Sequence, residues 1–265
     1  MSSAVSPWTE MPSPKFVLSA EGHRIATYSW GEDAAPTVLC VHGFASNCRD
    51  NWVDTVWVRD LTRAGFRVLG VDQRGHGASD KPHDPLGYTM EALVGDLLIV
   101  LDTYVLDSVH YAGYSLGGRV GWQLLVDAPD RVTRGVLGGI PDGRPLARLD
   151  IDQARAYAES GAPINDRVTQ NYVTLAERVA GNDLGVLVAL AEGMRLGDAD
   201  PDRARPPQQP VLFATGSEDA ILARSRHLAS AAPRGEFVEI PRRHHFNTPG
   251  SKIFRAAATA FLSQG

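Results

Sequence analysis

The chain has 265 residues, of which 43% are hydrophobic, 22% charged and 8% aromatic, and its formal net charge is -5. That length suits one well-buried domain with room for a small insertion. The mildly acidic balance gives no reason to expect nucleic acid or an anionic membrane as a partner, and no apolar run reaches the roughly 18 residues of a membrane span.

The first fifteen residues, MSSAVSPWTEMPSPK, lack the basic start and apolar centre of a secretory signal; residues 1–15 read as a flexible N-terminal arm ahead of a single domain over 16–265. Next, KFVLSAEGHRIATYSW holds two β-like runs around Glu21, Gly22 and His23, a hairpin pattern. Residues 37–43 (TVLCVHG) form a nearly continuous apolar run ending in glycine, as expected of a strand covered on both faces. The pattern recurs at 66–72, 108–115, 131–140, 209–219 and 236–241. Helical periods fall between these runs at 57–64, 90–104, 116–127, 220–231 and 252–262. This alternation implies an α/β fold with an eight-stranded, mostly parallel sheet, the second strand antiparallel, and helices on both faces.

Residues 141–207 break the alternation. DQARAYAES, RVTQNYVTLAERVAG and LGVLVALAEGM read as short helices, and the rigid RARPPQQP closes the segment. Such an insertion leaves from the carboxyl edge of a strand, where open α/β sheets bind ligands, so it is expected to form a small helical cap rather than to extend the main core.

YAGYSLGG, at 111–118, centres Ser115 between Gly113 and Gly117. A tight strand-to-helix turn there holds the serine in a strained backbone with its side chain exposed, and glycine is favoured at the flanking positions because helix and strand come close. A serine hydroxyl is a poor nucleophile until a base takes its proton, so a base, an orienting acid and oxyanion donors are needed elsewhere.

Four motifs in order, HGF at 42–44, DQRGHGASD at 72–80, GYSLGG at 113–118 and a late acid-then-histidine pair, resemble the α/β-hydrolase-fold serine hydrolases over residues 16–262. The resemblance implies that Asp219, in FATGSEDAIL, is the acid, with Glu218 as its local rival and Asp142 as a further alternative. It places the base in EIPRRHHFNTPG at His245, before Phe246, in preference to His244. It implies backbone N–H groups of Phe44 and Leu116 as the oxyanion hole. The order Ser115, Asp219, His245 is physically sensible, because each residue follows the carboxyl end of a different strand of one sheet.

Other residues take structural readings. His42 is expected to shape the oxyanion loop, and Asp72, Arg74 and His76 to hold a turn through side-chain to backbone bonds. His23, His83, His110 and His227 are scattered without metal-like spacing. Trp52 and Trp57 fit either a pocket wall or the core, and Trp122 the core. Cys40 and Cys48 are too few for a disulfide framework, and Cys40 reads as a packed thiol.

The expected activity is hydrolysis of a carboxylic ester or lactone through an acyl-Ser115 intermediate, without metal or organic cofactor, in the cytoplasm. The substrate is expected to be a small to medium, mostly neutral molecule, because the cap segment shows no paired basic residues and offers Leu146, Leu149, Ile151, Tyr157, Ile164 and Tyr172 as apolar lining. Relatives that open epoxides or remove halogens carry aspartate at the elbow, and this chain carries serine. Alternatives are carbon–carbon bond hydrolysis of a diketone-like substrate, cofactor-free haloperoxidase-like activity, and a ligand-binding receptor that keeps the hydrolase pocket.

Overall fold

Strands apolar on both faces need cover on both sides. In the computed structural model, which describes residues 10–144, 146–196 and 199–264, every residue of β3 (Thr37–Val41) and β4 (Arg67–Val71) is buried. These two strands lie inside an eight-stranded sheet of order β1-β2-β4-β3-β5-β6-β7-β8. The hairpin expected around Gly22 is β1 (Lys15–Leu18) and β2 (Arg24–Trp30), paired antiparallel. β2 also runs antiparallel to β4. From β4 onward every pairing is parallel, through β5 (Val109–Tyr114), β6 (Val132–Gly138), β7 (Val211–Gly216) and β8 (Gly235–Ile240).

Of the expected arm, residues 1–9 lie outside the described residues. Beyond them, Trp30 Nε1 donates to the Glu10 carbonyl at 3.1 Å and Met11 packs against the core.

Two apolar layers sandwich the sheet. On one side α2 (Met90–Thr103) and α3 (Leu116–Asp127) bury Leu97, Val100, Leu101 and Trp122 against it. On the other, α1 (Trp57–Arg63) and α8 (Lys252–Leu262) bury Trp57, Leu61, Phe254 and Phe261. Each such side chain contributes roughly 1.5–3 kcal/mol of transfer free energy. The helices begin where short polar side chains take the orphan N–H groups: Thr89 accepts from Ala92 N ahead of α2, and Ser251 from Phe254 N ahead of α8.

The segment between β6 and β7 carries three helices, α4 (Ile151–Ser160), α5 (Arg167–Arg178) and α6 (Leu184–Leu196). Asp150 and Asp166 cap the first two. Leu149, Ile151, Ala154, Val173, Val188 and Ala191 form a separate small apolar cluster among these helices. α7 (Leu222–Ala229) follows β7.

The turn after β4 is held by buried charge. Arg74 is 1% exposed and forks onto Asp96 of α2 with contacts of 2.7 and 2.6 Å, while a further N–H reaches the Gly87 carbonyl at 2.7 Å. Burial pushes the Asp96 carboxyl up against the opposing pull of Arg74. Arg74 also pairs with half-exposed Glu21 at 2.8 Å, so removing Asp96 leaves the buried guanidinium with a single, solvent-facing carboxylate. Asp96→Ala is therefore expected to cost up to about 3–5 kcal/mol of unfolding free energy, read from urea denaturation midpoints, whereas a loss under about 1 kcal/mol would show that Glu21 and water suffice to hold Arg74.

Candidate active site

The site is built where β5 ends and α3 begins. Ser115 sits between them at φ 52° and ψ -114°, a left-handed conformation that costs a non-glycine residue of order 1–3 kcal/mol. Its N–H donates to the Gly138 carbonyl at 2.8 Å, and its own carbonyl accepts the Arg119 N–H at 2.9 Å. A Cβ at position 113 would lie 2.4 Å from the Gly117 carbonyl oxygen, and one at 117 would lie 2.1 Å from that of Val41. Only glycine allows α3 to press this close to β3 and β5.

The late loops bring the partners. Asp219 follows β7, and His245 lies between β8 and α8. His245 Nε2 stands 3.0 Å from Ser115 Oγ, and His245 Nδ1 stands 2.8 Å from Asp219 Oδ2. The Asp219 side chain is 4% exposed, and its second oxygen accepts the Ile221 N–H at 3.2 Å. With Asp219 accepting from Nδ1–H, Nε2 is left with a lone pair facing the serine hydroxyl. The rivals stand elsewhere. His244 is exposed and turned to the Phe246 N–H, Glu218 is exposed, and the Asp142 carboxylate faces Arg203 and His227 at 3.4 and 3.5 Å.

Phe44 and Leu116 flank the serine, and Phe44, Ser115 and His245 line one cavity of about 350 Å³. As the first residue of α3, Leu116 has no carbonyl one turn earlier to take its N–H. The loop bearing Phe44 is held peptide by peptide. Asn51 Oδ1 accepts the Gly43 N–H at 3.1 Å, His42 Nδ1–H donates to the Gly43 carbonyl at 2.8 Å, and His76 Nε2 accepts the Ala45 N–H at 3.1 Å. Asn182, between α5 and α6, donates to the Ala45 carbonyl at 2.9 Å. His42 Nε2 in turn accepts the Gln73 N–H at 3.0 Å.

The shaping expected of His42 is borne out, whereas His76, expected to hold its own turn, meets the Arg74 carbonyl at 3.2 Å and also reaches across to Ala45. Asp72 likewise binds Cys48 N, Ala78 N and the Tyr28 hydroxyl at 2.7, 2.9 and 2.9 Å. Trp52 and Trp57 belong to the core, each 1% exposed, their rings edge-to-face at 5.2 Å.

Three supports were not legible in the sequence. Asn51 lies on a single π-helical turn, Arg49–Val53, and Asn182 in a connection, each without a motif. Tyr114 is adjacent to Ser115, yet its hydroxyl reaches across to the His245 carbonyl at 2.5 Å. Of the six apolar residues expected to line the site, Leu146 and Tyr172 reach the cavities at Ser115. Leu149 and Ile151 are buried in the small cluster among α4, α5 and α6, Ile164 packs against it, and the Tyr157 hydroxyl bonds Glu177 at 2.6 Å. The arginines of a second, smaller cavity at Ser115, Arg119, Arg144, Arg148 and Arg224, were likewise not read together from the sequence.

The family model described as alpha/beta hydrolase fold matches residues 36–161. A putative 2-succinyl-6-hydroxy-2,4-cyclohexadiene-1-carboxylate synthase of Bacillus subtilis is 31% identical over 93% of this chain and 97% of its own length. Rhodomycin D methylesterase of a Streptomyces species is 30% identical over 88% of this chain and 73% of its own. Among solved structures, an enol-lactonase from Burkholderia xenovorans superposes with a TM-score of 0.76 at 25% identity, covering 94% of this chain and 100% of the other.

The two bracing histidines make stability depend on pH. Burial pushes both imidazoles below their ordinary value of 6.5, the proximity of His42 adding to the effect at His76. In the unfolded chain they bind protons below 6.5 while in the folded chain they stay neutral, so the unfolded state gains protons as pH falls. Between pH 7.5 and 5.5 the unfolding free energy is expected to drop by up to about 1.4 kcal/mol for each histidine, with half-buried His110 adding in the same direction. Denaturant titrations at the two pH values measure the drop, and His76→Gln should reduce it; a flat profile would mean that both rings take up protons without unfolding.

Proposed function

The chain belongs to the α/β-hydrolase fold family, and from that premise we propose that it is a serine hydrolase that cleaves a carboxylic ester or lactone through an acyl-Ser115 intermediate. The observation that carries this reading is the relay Ser115 Oγ to His245 Nε2 at 3.0 Å and His245 Nδ1 to Asp219 at 2.8 Å, opening into a cavity of about 350 Å³. The likeness to a methylesterase and to an enol-lactonase supports the same bond type.

In this reading His245 Nε2 takes the Ser115 proton as Oγ attacks the ester carbonyl carbon. The oxyanion that forms is met by the N–H groups of Phe44 and Leu116, each such donor being worth roughly 3–4 kcal/mol in the transition state. Collapse breaks the bond to the alkoxide, which takes the proton back from His245. Water then repeats the sequence on the acyl-serine, with His245 again as base, and releases the acid. Asp219 holds the Nδ1–H tautomer and stabilises the imidazolium of each step. The donors are main-chain groups, so their placement depends on the bonds that fix Gly43 and Ala45 rather than on the Phe44 side chain.

Helices α4, α5 and α6 act as the cap. Tyr172 and Arg178 of α5 line the larger cavity, the Tyr172 ring stands edge-on to Phe44 at 5.9 Å, and Arg178 pairs with Asp50 at 3.4 Å. A small-molecule substrate thus lies between the sheet edge and α5.

Turnover of a short 4-nitrophenyl ester separates a hydrolase from a receptor that only binds. Ser115→Ala is expected to lower kcat at least about a thousandfold and to abolish labelling by a fluorophosphonate, with the fold retained by circular dichroism. Ordinary turnover in that variant would reject Ser115 as nucleophile. His245→Ala should lose activity to a similar extent, whereas His244→Ala should stay within about twofold of the parent; the reverse pattern would move the base to the neighbouring residue.

A further inference from the structure

Two cavities meet at Ser115 and His245, and their charges differ. The larger balances Asp50 and Asp54 against Arg178 and Arg243. The smaller, about 100 Å³, is lined by Ser115, Leu116 and His245 together with Arg119, Arg144, Arg148 and Arg224, and among the described residues no carboxylate lines it. These four arginines come from three separate places: α3, the connection between β6 and α4, and α7.

Their commitments are unequal. Arg119 is buried and donates to the carbonyls of Ala199 and Asp200 at 2.6 and 2.8 Å, so it is part of the wall. Arg144 approaches the Asp200 carboxylate at 3.8 Å. Arg224 donates through Nη2 to the Asp142 carbonyl, while the Asp142 carboxylate is occupied by Arg203 and His227. Arg148 is exposed and has no carboxylate within 4.0 Å among the described residues. Its charge reaches the Asp166 carboxyl, which side-chain and backbone bonds from Thr169 and, more weakly, Arg148 hold below its ordinary value, and the Tyr172 hydroxyl, where it opposes the upward push of burial.

A pocket of this charge beside the nucleophile repels cations, and a neutral group gains nothing from it. A carboxylate matches the planar donor fork of a guanidinium, often through two parallel N–H···O bonds. The volume suits a short acidic arm rather than a large ring. We propose that the substrate carries a carboxylate that seats in the smaller cavity against Arg148 and Arg224, with Arg144 strengthening the field, while the rest of the molecule occupies the larger cavity. This rests on the acyl-Ser115 reading and names a substrate class for it. It replaces the expectation of a mostly neutral substrate, which stood on the absence of paired basic residues along the cap segment.

The test uses two matched pairs of esters with the full chain. 4-Nitrophenyl hydrogen glutarate against 4-nitrophenyl pentanoate places the charge on the acid side, and 4-acetoxybenzoate against 4-acetoxybenzamide places it on the alcohol side. In at least one pair the charged member is expected to show kcat/KM higher by about tenfold or more, corresponding to about 1.4 kcal/mol. Raising salt to about 0.5 M should shrink that ratio, since the contacts are exposed. In the Arg148→Gln, Arg224→Gln double variant the ratio should fall to near one.

Equal or better turnover of the neutral member in both pairs overturns the proposal, as does a ratio that survives in the double variant. A binding arm needs no turnover: glutarate, and not glutaramide, should raise the melting temperature of the parent and not of the double variant. Absence of that difference rejects the carboxylate site by itself. Retained ester turnover in Ser115→Ala would instead reject the acyl-serine reading while leaving the glutarate result standing, so the two failures are distinguishable.

Discussion

The close approach of α3 to the central strands is the constraint on which the site depends. Ser115 is held at a positive φ because the chain must turn from β5 into α3 within one residue. That turn is possible because positions 113 and 117 carry no side chain where neighbouring carbonyls lie within 2.4 Å of a would-be Cβ. The strain at Ser115 is offset by the apolar contacts that α3 makes with the sheet, including those of fully buried Val120, Trp122 and Leu124. The same geometry leaves the Leu116 N–H at the start of a helix, with the serine beside it. The exposed serine hydroxyl and a free helix-start N–H beside it thus come from a single packing arrangement.

The proposed second oxyanion donor, the Phe44 N–H, needs a different device, because it sits on a loop. Loops are mobile unless their peptide groups are satisfied. Here side chains from four places do so: Asn51 and His42 at Gly43, His76 at Ala45 N and Asn182 at Ala45 O. Asn182 belongs to the segment that also supplies Tyr172, so the helices over the site and the loop bearing Phe44 share a hydrogen bond. The buried imidazoles remain neutral, which lets each act as acceptor at one nitrogen and donor at the other. Charge would break that pattern.

The histidine at the end of the relay is likewise positioned through its main chain. Tyr114, whose hydroxyl burial keeps firmly protonated, donates to the His245 carbonyl from the residue just before Ser115. Asp219 then orients the ring itself. His245 and Ser115 are therefore tied together twice, by a side-chain bond at 3.0 Å and by a bond from Tyr114 to the loop backbone.

The sequence by itself determined the strand and helix succession, because the periods of two and 3.6 residues are local properties and β3 through β7 announce themselves as apolar runs. It also singled out Ser115 by its own neighbours, and through the family resemblance Asp219 and His245. The charges and supports around them were decided only by the tertiary structure. Arg119, Arg144, Arg148 and Arg224 have no common spacing along the chain and meet only where α3, the connection after β6 and α7 converge. Asn51 and Asn182, 131 positions apart in number, hold the same loop, one at Gly43 and the other at Ala45. Likewise, Leu149, Ile151 and Tyr172 look alike as apolar residues of one helical segment, yet two are buried among the helices and one faces the site. Periodicity reports which face of an element is buried, whereas what that face is buried against is set by contacts between residues far apart in the chain, and those contacts exist only once the sheet has assembled.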